Sequence, residues 1–151
     1  MQEIILLKLG EVVLKGLNRR TFEQRLVSNI KKRLQKDGKF KIYCLQSTIY
    51  VEPEDESSDI DAIFEKLKHE FGVISLAKAA ACPKSEDAIF ELCREYLAAP
   101  LLAAKTFKVE TKRADKSFHL GSIELSQEVG GRLAEAFPHI KAQMRSPDFT
   151  V

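Results

Sequence analysis

"LKLGEVVLKGLNRRTFEQRLVSNI", Leu7 to Ile30, joins an apolar run that stops at Gly10 to a segment whose apolar residues recur at Phe22, Leu26 and Ile30, with Val27 alongside and Leu34 one turn on. The run it completes, Glu3 to Leu9, alternates little, as a buried strand does. The recurrence after it is that of an amphipathic helix, with Thr21 and Gln24 at capping-box spacing. The other face of that helix is basic: Arg19, Arg20, Arg25, Lys31, Lys32 and Arg33. A strand, a glycine-bounded loop and a basic helix admit two readings, a cradle for a nucleotide phosphate or a cationic surface for a larger polyanion.

The glycines argue against the cradle. A Walker loop needs G-x-x-x-x-G-K-[ST], so that the lysine reaches the terminal phosphates and the hydroxyl holds magnesium. Here five residues separate Gly10 from Gly16, and Leu17 and Asn18 follow, so neither lysine nor hydroxyl is in place. A G-x-G-x-x-G pattern is missing as well. Lys15, Arg19 and Arg20, with Lys8 near, instead suit the phosphates of a nucleic-acid backbone, which need point charges on a rigid surface and no special loop. The bland alternative, a solvated basic face, stays open on these residues alone.

Downstream, Asp37-Gly38 has the chemistry of a helix stop, and "KFKIYCLQ" then sets Phe40, Ile42 and Cys44 against Lys41, Tyr43 and Leu45. "TIYVE" follows Gln46-Ser47, which makes the pair a hairpin. The acidic "PEDESSD", Pro53 to Asp59, reads as a linker, with the boundary near residue 57. Beyond it, Ser58 and Asp61 form an acidic capping signature for a helix carrying Ile60, Ile63, Phe64, Leu67 and Phe71, closed by Gly72. "VISLAKAAA" resembles a strand. After Pro83 a helix starts at about Ser85, with Glu86 and Asp87 in its first turn, where the helix dipole favours acid. "KTFKVETKR" alternates as a half-buried strand, and a helix runs from about Ser122 to Phe137 despite Gly130-Gly131, glycines that we read as marks of close packing. "HIKAQMRSPDFTV" reads as a strand, a turn and the start of another strand. The expected fold is α+β in two compact units, residues 1–57 and 58–151.

Hydrophobic residues make up 44% of the 151 and charged residues 30%, the composition of a globular protein. No stretch approaches the ~20 apolar residues of a membrane span, and the first residues lack the basic leader and cleavage site of a signal peptide, so the expectation is a cytoplasmic protein without a membrane partner. The three cysteines, Cys44, Cys82 and Cys93, show no CxxC pairing and are expected to pack as free thiols. Net charge is +2, unevenly spread. Residues 1–50 hold 11 Lys and Arg against 4 Asp and Glu, and residues 51–104 hold 5 against 12, an asymmetry that points to a polyanionic partner.

A second cationic cluster stands in "FKVETKRADKSF", Phe107 to Phe118. Lys108, Lys112, Arg113 and Lys116 gather at a strand end, with Ser117 and Phe118 just beyond. Charges beside an aromatic ring suit single-stranded RNA, whose phosphates take the charges and whose bases stack. Phe118 in the core above a solvated lysine edge is the competing arrangement. For an enzyme the chain offers little: His69, His119 and His139 are scattered without metal-ligand spacing, and no Ser/His/Asp or paired-carboxylate pattern stands out.

At these two stretches the sequence resembles the tRNA 4-thiouridine synthetases, the ThiI family of tRNA sulfurtransferases that also serve thiamine biosynthesis. "LGEVVLKGLNRRTFEQRLVSNI" is similar to the opening of the family's ferredoxin-like domain, and "FKVETKRADKSFHLGSIELSQEVGG" to the heart of its THUMP domain. The resemblance implies that these domains hold tRNA by its acceptor stem and 3′ end and present uridine 8 to a separate catalytic domain. The matched positions are Lys15, Asn18, Arg19 and Arg20 in the first stretch and Lys108, Lys112, Arg113, Lys116, Ser117 and Phe118 in the second. ATP and Mg are expected in the full-length family enzyme and not in this chain, whose sequence has no Ser-Gly-Gly-x-Asp-Ser loop. The family resemblance also implies a cysteine desulfurase as sulfur donor, and it allows a homodimer. Ser146-Pro147-Asp148 departs from the family's usual Asn-Pro-Asp, and the chain is expected to stop short of the last THUMP strands. The alternative is the THUMP module of another RNA-modifying enzyme, a methyltransferase or a pseudouridine synthase.

Overall fold

The apolar run at the amino-terminal end folds as β1 (Gln2–Lys8) and the basic periodic segment as α1 (Arg19–Arg33). These come from a computed structural model, which describes residues 2–9, 19–56, 58–70 and 75–151. β2 (Phe40–Leu45) and β3 (Thr48–Pro53) form the expected hairpin, α2 (Ile60–Glu70) follows, and β4 (Ser75–Ala81) returns to the sheet. The four strands lie in the order β2-β3-β1-β4, all antiparallel, which is the βαββαβ ferredoxin-like arrangement. Gln46 and Ser47 turn the hairpin with φ of 48° and 64°, both left-handed, as a two-residue type I′ loop demands.

Strand alternation sends Ile5, Leu7, Ile42, Ile49 and Val51 to one face, where Leu26, Ile30 and Leu34 of the α1 segment and Ile60, Ile63 and Leu67 of α2 cover them. Phe22, expected on that stripe, is instead 40% exposed, one turn before the helix reaches the sheet. The helix already runs at Arg19, so Thr21 and Gln24 lie inside it and not at its cap. At α2 the cap is Asp59, whose carboxylate accepts from Ala62 N at 3.1 Å, whereas Ser58 donates to Asp55. Phe71 and Gly72 lie outside the described residues.

The boundary near residue 57 is corrected. β4 pairs with β1 along its whole length, from Gln2↔Ala81 to Lys8↔Ser75, and α2 fills the core that α1 fills, so the first unit runs from Gln2 to Ala81. The acidic "PEDESSD" is the connection between hairpin and helix within that unit. Composition alone misleads here because a solvated loop and a domain linker have the same chemistry.

The second unit starts at Cys82. Ser85 caps α3 (Glu86–Tyr96), accepting from Ala88 N at 3.1 Å, and the short α4 (Ala98–Ala103) follows. β5 (Thr106–Lys108) is the middle of a parallel sheet in the order β6-β5-β7, with α5 (Ser122–Ala136) leading into β6 (Lys141–Ala142) and then β7 (Phe149–Thr150). Phe107, Leu101, Val129 and Leu133 are its most deeply buried side chains. Arg132 fastens α5 to α3, donating to Asp87 at 2.9 Å with its guanidinium 4.3 Å from the Phe90 ring centre. The strand expected through Arg113 ends at Lys108, and just beyond it Glu110 N still donates to Val151 O at 3.0 Å.

The Ser-Pro-Asp turn ties this sheet together. Asp148 accepts from Lys105 N at 2.9 Å and Thr106 N at 3.2 Å, and its own N–H donates to Thr106 Oγ1. Ser146 adopts φ 47°, a conformation that asparagine takes more readily than serine. An asparagine in the family's usual Asn-Pro-Asp would thus suit the backbone at this position.

Candidate nucleic-acid interface

Beyond Glu110 the chain leaves the sheet and makes a loop over the start of α3, and side chains hold its shape. Arg113 Nη1 donates to two carbonyls, Phe118 O and Leu120 O, each at 3.3 Å. Asp115 accepts from Ser117 N at 3.0 Å, Ser117 Oγ at 2.5 Å and Lys84 Nζ at 2.8 Å. The Lys84 ammonium foremost, with the two Ser117 donors, holds the Asp115 carboxyl well below the usual carboxylate range. His119 Nε2 meets Glu86 Oε1, pinning the far side of the loop to α3.

The six residues singled out in this stretch therefore divide by task. Lys112 and Lys116 are exposed and make no ion pair among the described residues, so their charges face solvent. Arg113 and Ser117 are exposed too, yet their polar groups are engaged in shaping the loop. Lys108 is only 23% exposed and pairs with Glu110 at 2.6 Å. Phe118 is neither core nor free: half-buried, its ring 4.8 Å from that of His119, it lines a cavity of about 270 Å³ with Lys84, Ile89, Thr111, Lys112 and Leu125.

A larger groove, about 420 Å³, opens on the other side of Thr111. Gly130 and Gly131 form part of its wall, with Ser126, Gln127 and Lys108, and the two exposed apolar side chains Ile123 and Met144 stand at it. The glycines do not mark close packing. A Cβ on Gly131 would meet nothing within 4 Å, and one on Gly130 would meet Val109 Cγ2 at an ordinary 3.6 Å. Neither this groove nor Lys84 was singled out from sequence; the signal was there in Ile123, an apolar residue off the buried stripe of Leu133 and Val129.

On the first unit, Arg20 is exposed and lines a cavity of about 500 Å³ with Gln24, Ser28, Lys31 and Cys44, whereas Arg19 pairs with Glu23 at 3.1 Å. Lys15 and Asn18 lie outside the described residues. Burial raises the pKa of all three free thiols, with Glu23 adding to it at Cys44, so none is poised as a thiolate. Among the described residues no group of three or more His, Cys, Asp or Glu could hold a metal ion, and no helix is long and apolar enough to cross a membrane.

The βαββαβ unit and the small parallel-sheet unit with its clamped cationic loop define a class, a ferredoxin-like domain coupled to a THUMP domain. The ThiI ferredoxin-like domain family matches residues 4–77 and the THUMP domain family residues 83–151. A probable tRNA sulfurtransferase of Acetivibrio thermocellus is 38% identical over 99% of this chain, and that of Alkaliphilus oremlandii 36% over all of it. A crystal structure described as a 4-thiouridine synthetase–RNA complex with bound ATP superposes with a TM-score of 0.77 over 99% of the chain and 37% of its own length, at 27% identity. The chain thus joins a ThiI ferredoxin-like domain to a THUMP domain. It spans about two fifths of the length of these curated relatives, 38% and 39%.

Proposed function

We propose that this chain is the tRNA-docking part of a tRNA 4-thiouridine synthetase, holding the acceptor stem and 3′ end while chemistry at uridine 8 belongs to the rest of the protein. The observation that carries the reading is two exposed ammonium groups without an ion pair among the described residues, Lys112 and Lys116, on a loop that Arg113, Asp115 and Ser117 hold in one shape. Exposed charges on a preordered loop bind phosphate without first spending conformational entropy. Arg20 and Lys31 extend a second basic surface on the first unit. The RNA bound in the related 4-thiouridine synthetase crystal supports the same partner for this chain.

In the whole protein, the reading is ATP-dependent replacement of the uracil oxygen by sulfur, supplied as persulfide by a cysteine desulfurase. With six to eight phosphates neutralised, log affinity falls against log salt with a slope of about −4 to −7. The test is a titration of labelled tRNA, intact and trimmed of its single-stranded 3′ end, at several salt concentrations. Salt-sensitive binding that weakens on trimming and in Lys112→Ala and Lys116→Ala supports the reading; equal binding to trimmed tRNA removes the 3′-end assignment, and ATP turnover by the chain alone removes the docking role.

A further inference from the structure

The sheet of the first unit has two faces, and the two helices cover one of them. Cross-strand partners share a face, so the register fixes what the other carries. One row runs Tyr43↔Tyr50↔Leu6↔Ala77 straight across all four strands. None of these four side chains is fully buried. The tyrosine rings stack on each other with centroids 5.0 Å apart and planes 8° from parallel. The row on one side begins with Lys41, whose ammonium stands 5.2 Å from the Tyr43 ring centre, paired across the ladder with Glu52. The row on the other side contains Lys8, between Thr48 and Ser75. Both lysines are exposed, and the carboxylate of Glu52 accepts the Tyr43 hydroxyl at 2.6 Å.

From this face we infer a second RNA contact: a platform on which unpaired nucleobases of single-stranded RNA stack against Tyr43 and Tyr50, with the flanking phosphates on Lys8 and Lys41. It goes beyond the reading above, which places RNA on the loop of the second unit and on α1. Three features argue for nucleobases over a protein partner. Paired aromatic rings on neighbouring strands of a four-stranded antiparallel sheet, here the edge strand β2 and β3 beside it, resemble the aromatic pairs on which such sheets stack two or three bases. Beyond the rings the row continues with Leu6 and ends on the methyl of Ala77, so it is apolar from Tyr50 to the far edge. Cations stand on both sides of the aromatic row, where a sugar-phosphate strand crossing it would run.

The experiment uses the whole chain and two probes, a labelled single-stranded oligouridylate and a blunt RNA duplex of equal length. Tyr43→Ala with Tyr50→Ala is expected to weaken the single strand by about 5- to 150-fold for each stacked base lost, and to change duplex affinity less than twofold. Tyr43→Phe with Tyr50→Phe keeps the rings and is expected to bind as the parent does. Tyr50→Leu keeps apolar bulk without the ring, and is expected to weaken the single strand even where the double alanine variant unfolds. Single-strand affinity unchanged by the alanine and leucine changes overturns the platform. So does sedimentation showing that the alanine changes separate two copies of the chain while RNA affinity stays the same. Intact tRNA bound through Lys112 and Lys116, with no binding of the oligouridylate, removes the platform and leaves the docking reading in place.

Discussion

Arg113 and Lys112 are neighbours with opposite employment, and their removal has different signatures. Lys112→Ala takes one free charge from the surface, so the salt slope of tRNA binding falls by about 0.7 to 0.9 while the melting temperature holds. Arg113→Ala instead releases the carbonyls of Phe118 and Leu120. Faster amide exchange across residues 114–120 in the free protein is the expected outcome, a change that Lys112→Ala leaves out. Asp115 sets a pH limit on the same loop. Its folded pKa lies below its ordinary value of 3.8, so the stabilisation is complete above that value and is lost as pH falls through the lower folded one. Protection of the loop amides, their exchange relative to an unstructured chain at the same pH, is thus expected to persist down to about pH 4 and to fall in stronger acid. Tyr43 shows the reverse sign. The bond to Glu52 pushes its pKa up to about 12, so the contribution is present below the ordinary value of 10.0 and lost above the raised one. A spectrophotometric titration should show one tyrosine ionising late, and Glu52→Gln should advance it.

At the scale of the element, α5 carries two glycines whose helix-weakening cost packing does not compensate. Because space around Gly131 is open, Gly131→Ala should stabilise the chain by about 0.5–1 kcal/mol, measured by urea unfolding. A concurrent loss of tRNA affinity would mark the groove beside it as part of the RNA surface. The β2–β3 hairpin stores strain of another kind, since Gln46 and Ser47 both take left-handed angles without being glycine or asparagine. Changing the pair to Asn-Gly should stabilise the unit by about 1–2 kcal/mol, visible as a higher denaturation midpoint at constant m-value. Both devices sit where the sequence shows a turn or a helix, and only the backbone angles and open volume reveal what each costs.

For the molecule as a whole, the division after Ala81 has a consequence that a division at 57 does not share. A chain cut after residue 81 keeps α2 and β4 on the first sheet, with the core of Ile5, Leu7, Ile30 and Leu67 complete. It should give a cooperative thermal transition by circular dichroism. A chain cut after residue 57 lacks Ile60, Ile63 and Leu67 and exposes the whole edge of β1, so it should aggregate or remain unfolded. Two cooperative fragments from the first cut, and none from the second, would place the boundary by measurement.

The sequence by itself determined the elements with strong period: α1, the hairpin, α3 from Ser85 and α5 from Ser122, because apolar spacing and capping chemistry are local properties. It also determined the family, through two long ordered stretches, and the presence of the cationic cluster at Lys112 to Lys116. Tertiary structure decided what locality cannot contain. Strand β4 belongs to the first sheet because it finds an edge 67 to 79 residues back in the chain, at Gln2 to Lys8. Asp115 became an anchor because Lys84, 31 residues earlier, reaches it. The same contacts sort the cations of one short motif into two that face solvent and one that holds the loop, since the partner, not the residue type, fixes whether a charge is free to bind.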